Sequence, residues 1–228
     1  MKKLWIFGDS FSDSCGLHTN HPYCNFLETN LNYTNNLDFA WQRLLAKELG
    51  LELMENGISG AGNMEILNEV ILNMNKFHTD DYVIIGWTLP TRLSLPSPTE
   101  YYRKMVSLPN VNQAKYLDNE FGIDSYFNFY TNVFLDSIDR YIDYSTKIAM
   151  ELSHNISKNY NLITWAWADK SMKIDTIANH TNFLVVDDHP SISGHEYILD
   201  RIKQIEWGSV YDLYELSNSH KFGNEFNH

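Results

Sequence analysis

Cysteine is nearly absent. The 228 residues contain two, Cys15 and Cys24, too few for the disulfide framework that holds small secreted domains together. A chain of this length buries roughly 70–75% of its extended surface on folding, so it needs no such framework. Basic residues are also scarce: 17 Lys and Arg stand against 29 Asp and Glu, for a net charge of -12. With no basic run to break that balance, nucleic acid and anionic membrane surfaces are disfavoured as partners. Long apolar runs are missing too, none approaching the ~20 residues of a membrane span. The opening Met1-Lys2-Lys3-Leu4-Trp5-Ile6-Phe7 has too few apolar residues before Gly8 for a signal-peptide core. These absences together predict a cytoplasmic setting with both thiols free, in which the glycosylation-like triplets at Asn32, Asn155 and Asn179 have no role.

What the chain does have is short apolar runs bounded by Gly, Asp and Asn, alternating with longer segments of helical period. That alternation predicts an α/β domain, a parallel sheet covered by helices. Five strands are expected: Lys3 to Phe7, Leu51 to Met54, Tyr82 to Ile85, Leu162 to Trp167 and Phe183 to Val186. Between them, Phe39 to Leu49 has helical spacing with Gly50 as its stop, and Met64 to Phe77 repeats the pattern. A long helix is expected from about Tyr130 to Tyr160, and a last one after Pro190. No repeat or linker divides these units, so residues 1–228 read as one domain with right-handed crossovers and helices on both faces. Residues 87–128 carry Pro90, Pro96, Pro98 and Pro109 with weak periodicity, which predicts a loop excursion over the carboxyl edge of the sheet. Residues 208–228 form a polar C-terminal arm that either packs or frays.

The first strand runs into Gly8-Asp9-Ser10-Phe11-Ser12, which puts Ser10 on a tight turn at the edge where open parallel sheets bind ligands. A serine in such a turn is either a local cap or a nucleophile, and a nucleophile needs a base for its proton. Near the other end, Asp187-Asp188-His189-Pro190 follows the last expected strand and supplies an imidazole with a carboxylate beside it. Between the two, Asn56-Gly57-Ile58-Ser59-Gly60-Ala61-Gly62-Asn63 is a glycine-rich turn whose amides can face an oxyanion, with Gly60 the preferred donor.

In order and spacing, Gly8-Asp9-Ser10-Phe11-Ser12, Ile58-Ser59-Gly60 and Asp187-Asp188-His189-Pro190 resemble blocks I, II and V of the SGNH (GDSL) hydrolases. The resemblance implies a flavodoxin-like three-layer α/β/α sandwich with a five-stranded parallel sheet in the order 2-1-3-4-5. It also implies a serine esterase that works through an acyl-enzyme without cofactor or metal. Ser10 would be the nucleophile and, through its amide, an oxyanion donor with Gly60. His189 would be the base and Asp187 the orienting acid, with Asp188 the alternative. Block III differs: where the family has Gly-Xaa-Asn-Asp, this chain reads Gly86-Trp87-Thr88-Leu89, so Thr88 and Asn63 are the candidates for a third donor. The block III variant and the Asn-rich composition resemble members from bacteriophages or marine bacteria.

The acidic balance disfavours anionic polymers as substrates and the absence of a long apolar lid disfavours bulk lipid, so a small-molecule or saccharide ester with a short acyl or O-acetyl group is expected. An O-acyltransferase or a degenerate binding module is the alternative. Asp9, Trp87 and Arg92 are the candidates for touching it, each with a plainer reading. Asp9 also reads as a turn residue, Arg92 as an ion-paired loop residue, and Trp87, with Tyr101 and Tyr102, as loop packing rather than a sugar platform. Ser191 and His195 read as residues of the last helix. Cys15, His18, His21 and Cys24 recur every three residues, but one short loop is a poor zinc cage, and no metal is expected.

Overall fold

The structure is a computed structural model that describes residues 1–13, 36–96, 105–108, 115, 118–119, 125–169, 172, 174 and 189–221. Six strands fall among them: β1 (Lys3–Gly8), β2 (Glu52–Gly57), β3 (Tyr82–Trp87), β4 (Leu93–Pro96), β5 (Met105–Leu108) and β6 (Asn161–Ala166). Four run parallel in the order β2-β1-β3-β6. The helices are α1 (Trp41–Leu49), α2 (Asn63–Asn73), α3 (Leu135–Ser157), α4 (Ile192–Lys203) and α5 (Leu213–Lys221).

Side chains alternate across each strand, and both faces of this sheet are apolar. Trp5, Phe7, Val83, Ile85 and Trp87 point to one face, where they meet Ile66, Leu67 and Val70 of α2, Ala149 of α3 and Leu213 and Leu216 of α5. Leu4, Ile6, Ile84, Ile163 and Trp165 point to the other, against Trp41 and Leu45 of α1 and Ile198 and Ile202 of α4. The expected α/β layering with helices on both faces is therefore present. α1 ends as expected at Gly50, whose φ of 66° lets the following Leu51 N–H turn back to the Ala46 carbonyl (2.9 Å). Among the described residues no helix is long and apolar enough to cross a membrane.

The strand count needs correction, and the excursion and the C-terminal arm gain detail. The fifth strand, Phe183 to Val186, lies outside the described residues, and the outer edge of β6 is bonded by a different segment. Gly208 N–H donates to the Leu162 carbonyl (2.7 Å) and Thr164 N–H to that of Ser209 (3.1 Å). The described sheet thus has four strands rather than the five of 2-1-3-4-5, and residues 208–209 satisfy edge groups of the last. The 87–128 excursion is partly regular. β4 and β5 pair antiparallel with Leu93 opposite Leu108, and Ser125–Phe129 is a short helix that passes through a π-helical turn into α3. Strands of four residues are too short to register as periodicity. Of the C-terminal arm, α5 packs against α3, where Thr146 and Ser217 share a hydroxyl hydrogen bond of 2.5 Å.

The amino edge of the sheet is fastened by Asp81, 1% exposed. Its carboxylate accepts from Lys3 N–H (2.9 Å), the Trp5 indole (2.9 Å) and His78 N–H (3.0 Å). Burial would raise its pKa, but the bonds from Trp5, His78 and Lys3 outweigh it and hold the carboxyl below its ordinary value. With the folded pKa depressed, this stabilisation is present above the ordinary carboxylate range and is lost as pH falls through it. Asp81→Asn turns one acceptor into a donor facing N–H groups, and should lower unfolding free energy by roughly 2–4 kcal/mol at pH 7. Urea titration of the two proteins reads this directly; a loss under about 0.5 kcal/mol would show that water replaces the carboxylate.

Candidate active site

Strands β1 and β2 end in register at Gly8 and Gly57, and β3 carries Gly86 at the same edge. Ser12 is seated on these three glycines. A Cβ at Gly8, where φ is +153°, would strike the Ser12 side chain. One at Gly57 would lie 2.5 Å from the Ser12 carbonyl, and one at Gly86 2.7 Å from Ser12 Oγ. The chain can therefore fold back tightly after β1, closing a turn with Ser12 N–H on the Asp9 carbonyl (2.8 Å). Phe11 N–H donates to the Asp9 carboxylate (3.1 Å), and the Trp41 indole at the start of α1 pins the Phe11 carbonyl (2.7 Å). Sequence reasoning passed over Ser12's seat, although a glycine near the end of each of three successive strands was its visible mark.

The second loop faces the first through Ile58 N–H, which donates to the Gly8 carbonyl (2.9 Å). Ile58 to Ala61 form a turn closed by Ala61 N–H on the Ile58 carbonyl (3.0 Å), with Gly60 at φ +76° in the position that requires a left-handed backbone. Gly62 then caps α2. On the third side, His189 precedes Pro190 and the Ser191 N-cap of α4, whose hydroxyl accepts from Gly194 N–H (3.1 Å).

Ser10 and His189 line one cavity of about 640 Å³, together with Arg92 and an apolar wall that includes Phe11, Leu89, Trp167 and Ile174. Asp187 and Asp188 lie outside the described residues, as do Tyr101, Tyr102 and the set Cys15, His18, His21 and Cys24. Among the described residues no cluster of His, Cys, Asp or Glu is arranged to hold a metal.

Trp87, Asp9 and Thr88 are buried away from their substrate or oxyanion readings, and Asn63 is partly engaged. Trp87 is fully buried in the core beneath α2, because it continues the Val83–Ile85 parity of β3, so its ring cannot serve as a platform. Asp9 is also fully buried. Besides Phe11 N–H, its carboxylate accepts from the Trp167 indole (2.7 Å) and from Arg92 Nη1 (3.1 Å), which makes it an internal strut rather than a substrate ligand. Burial pushes its pKa up, against the pull of Arg92, Phe11 N–H, Thr88 and Trp167. Asn63 is clamped on the Thr88 backbone, giving one amide hydrogen to the Thr88 carbonyl (3.1 Å) and accepting its N–H (2.9 Å), with its second amide hydrogen not used by Thr88. The Thr88 hydroxyl is fully buried on the Asp9 side, without a hydrogen bond of good geometry.

Arg92 is ion-paired, as its plainer reading had it, but it stays at the cavity wall with 14% of its side chain exposed. Its guanidinium lies 5.6 Å over the Trp167 ring, which stacks on Phe11 at 4.3 Å. Sequence reasoning passed over Trp167 and Trp41, since each acts through partners distant in sequence.

Behind His189 stands His195, fully buried. Its Nδ1 accepts from Trp41 N–H at 3.4 Å, which puts the ring proton on Nε2. Burial, with a smaller effect of His189, lowers its pKa to about 3.

No family model matches the chain, and no curated protein matches it. Among solved structures, a G-D-S-L family protein from Desulfitobacterium hafniense aligns over 90% of this chain and 99% of its own, with 12% identity and a TM-score of 0.37. LAE5, an alpha/beta hydrolase enzyme from the metagenome of Lake Arreo, Spain, aligns over 88% of this chain and 93% of its own, with 17% identity and a TM-score of 0.36. At these scores neither likeness bears on activity, and the site is argued from its own residues.

Proposed function

We propose that the protein is a serine hydrolase of carboxylic esters. The observation that carries this reading is that Ser10 and His189, from opposite ends of the chain, line the same cavity at the carboxyl edge of the sheet. In the proposed reaction Ser10 Oγ bonds to the ester carbonyl carbon as its proton passes to His189. The carbonyl π pair moves onto oxygen, where the amides of Ser10 and Gly60 receive it. Collapse breaks the bond to the alcohol, which leaves with the proton from His189, and water then releases the acid by the same steps in reverse order. Asp187 orients His189. The apolar wall suits a short acyl chain, with O-acetyl groups on saccharides among the candidate substrates. A saccharide hydroxyl in place of water would make the protein an O-acyltransferase.

The test is hydrolysis of p-nitrophenyl esters of graded chain length and of acetylated saccharides, with a fluorophosphonate label mapped by peptide mass. Hydrolysis with the label on Ser10 is expected, and Asp187→Asn should damage turnover far more than Asp188→Asn. Absence of both turnover and label would leave a module that binds without reacting.

A further inference from the structure

We propose that Arg92 is a catalytic residue: its guanidinium Nη2 donates to the oxyanion formed when Ser10 attacks the ester. The inference rests on the hydrolase reading and adds to it a charged donor that the two backbone amides lack.

Arg92 Nη1 bonds to the carboxylate of Asp9, the residue before Ser10, at 3.1 Å. It also bonds to the carbonyl of Ala61, the residue after Gly60, at 3.3 Å. The guanidinium is thereby strung between the two loops whose amides are the expected donors. Those bonds use both hydrogens of Nη1. Nη2 bonds to no described residue, and Arg92 borders the cavity that Ser10 and His189 share. The other two candidate donors are held away from free rotation: the Asn63 amide is clamped on the Thr88 backbone at both its nitrogen and its oxygen, and the Thr88 hydroxyl is fully buried.

Arg92 is also held still. Its backbone carbonyl accepts from the Tyr141 hydroxyl (3.2 Å), which in turn accepts from Ser94 N–H (3.0 Å), and the Trp167 ring lies under its cation. A donor fixed before the reaction stabilises developing charge without reorganising. An arginine keeps its charge at any working pH, and Asp9 neutralises it only from the Nη1 side. As the oxyanion forms, Nη2 donates a hydrogen bond and transfers no proton. When the π pair returns to the carbonyl, the bond weakens and product is released.

Two measurements test this. First, in the wild-type protein Ser10 Oγ bonds to the phosphorus of a fluorophosphonate as fluoride leaves to solvent and the serine proton passes to His189, which puts a phosphonyl oxygen where the oxyanion would sit. A crystal structure of that adduct should place Arg92 Nη2 about 3 Å from this oxygen. Separation by more than about 4.5 Å would overturn the assignment. Second, Arg92→Lys keeps a cation for Asp9 but loses the fork. Its kcat on p-nitrophenyl acetate should fall about 10²- to 10³-fold with KM within threefold, a split that a merely structural arginine would not produce. A folded Arg92→Lys protein with kcat within threefold of wild type would also overturn it. The adduct needs no variant, so a Lys protein that fails to fold leaves the first measurement decisive. A wild type that neither hydrolyses esters nor takes the label defeats the hydrolase reading, and Arg92's role with it. A labelled, active wild type with Arg92 remote from the phosphonyl oxygen defeats the Arg92 role alone.

Discussion

Ser10→Ala is expected to lower ester hydrolysis by at least about three orders of magnitude and to abolish fluorophosphonate labelling, with little change in melting temperature. The loss follows from removing the atom that forms the new bond; what survives is the background supplied by the oxyanion donors and by binding. The fold should be indifferent, because the turn is held by other groups. The Asp9 carboxylate takes Phe11 N–H, the Trp41 indole takes the Phe11 carbonyl, and Ser12 sits on Gly8, Gly57 and Gly86. None of these contacts uses the Ser10 side chain. The same geometry separates Ser10 from its neighbour Ser12, which is 1% exposed and walled by the strand ends, so no ester carbonyl can approach its hydroxyl. Assaying Ser10→Ala by steady-state hydrolysis beside a thermal melt decides the matter. Activity above a hundredth of wild type in a folded variant would remove Ser10 from the reaction.

The layering was legible because its signals are local. Runs such as Leu4-Trp5-Ile6-Phe7 and Val83-Ile84-Ile85 are apolar on both faces, as strands covered on two sides must be, and the helical period of α1 ends at a glycine in the expected place. Ser10 and His189 were legible because Ser10 lies in the turn that ends β1 and His189 just ahead of the last helix, where a parallel sheet brings distant segments together. The support beneath them was not. Asp9 and Arg92 pair across 83 positions, and Trp167 reaches Asp9 across 158, so no window of sequence contains both partners. Trp87 is a different case: the parity of Val83 and Ile85 already assigned it to the core, and only its place at a strand end argued for the site. The outer edge of β6 was beyond reach because Gly208 and Ser209 lie in a polar segment without strand periodicity, and their backbone bonds depend on where α4 ends.

His195 should make the protein sensitive to mild acid. In the unfolded chain its imidazole protonates near pH 6.5, whereas in the fold burial, aided by the nearby His189, holds its pKa at about 3. Its place in the first turn of α4 adds to this, since the helix N-terminus disfavours a cation. A folded pKa below the unfolded one means that between the two values the unfolded chain binds the proton and the fold does not. Stability is then lost as pH falls through that window, at about 1.4 kcal/mol per pH unit. Over the whole window the loss amounts to roughly 4–5 kcal/mol, a large part of what a domain has. Asp9 acts in the opposite sense, because its folded pKa is raised and proton uptake below that value favours the fold. The wild-type curve alone would therefore mix the two. His195→Asn isolates the histidine: its side-chain oxygen can still accept Trp41 N–H in place of Nδ1, and it does not titrate. Unfolding free energies from urea titrations at pH 7, 6, 5 and 4 should fall more steeply in the wild type than in the variant, by about 1.4 kcal/mol per unit below pH 6.5. Parallel curves would mean that His195 is protonated in the folded protein, and the buried neutral ring against Trp41 would have to be abandoned.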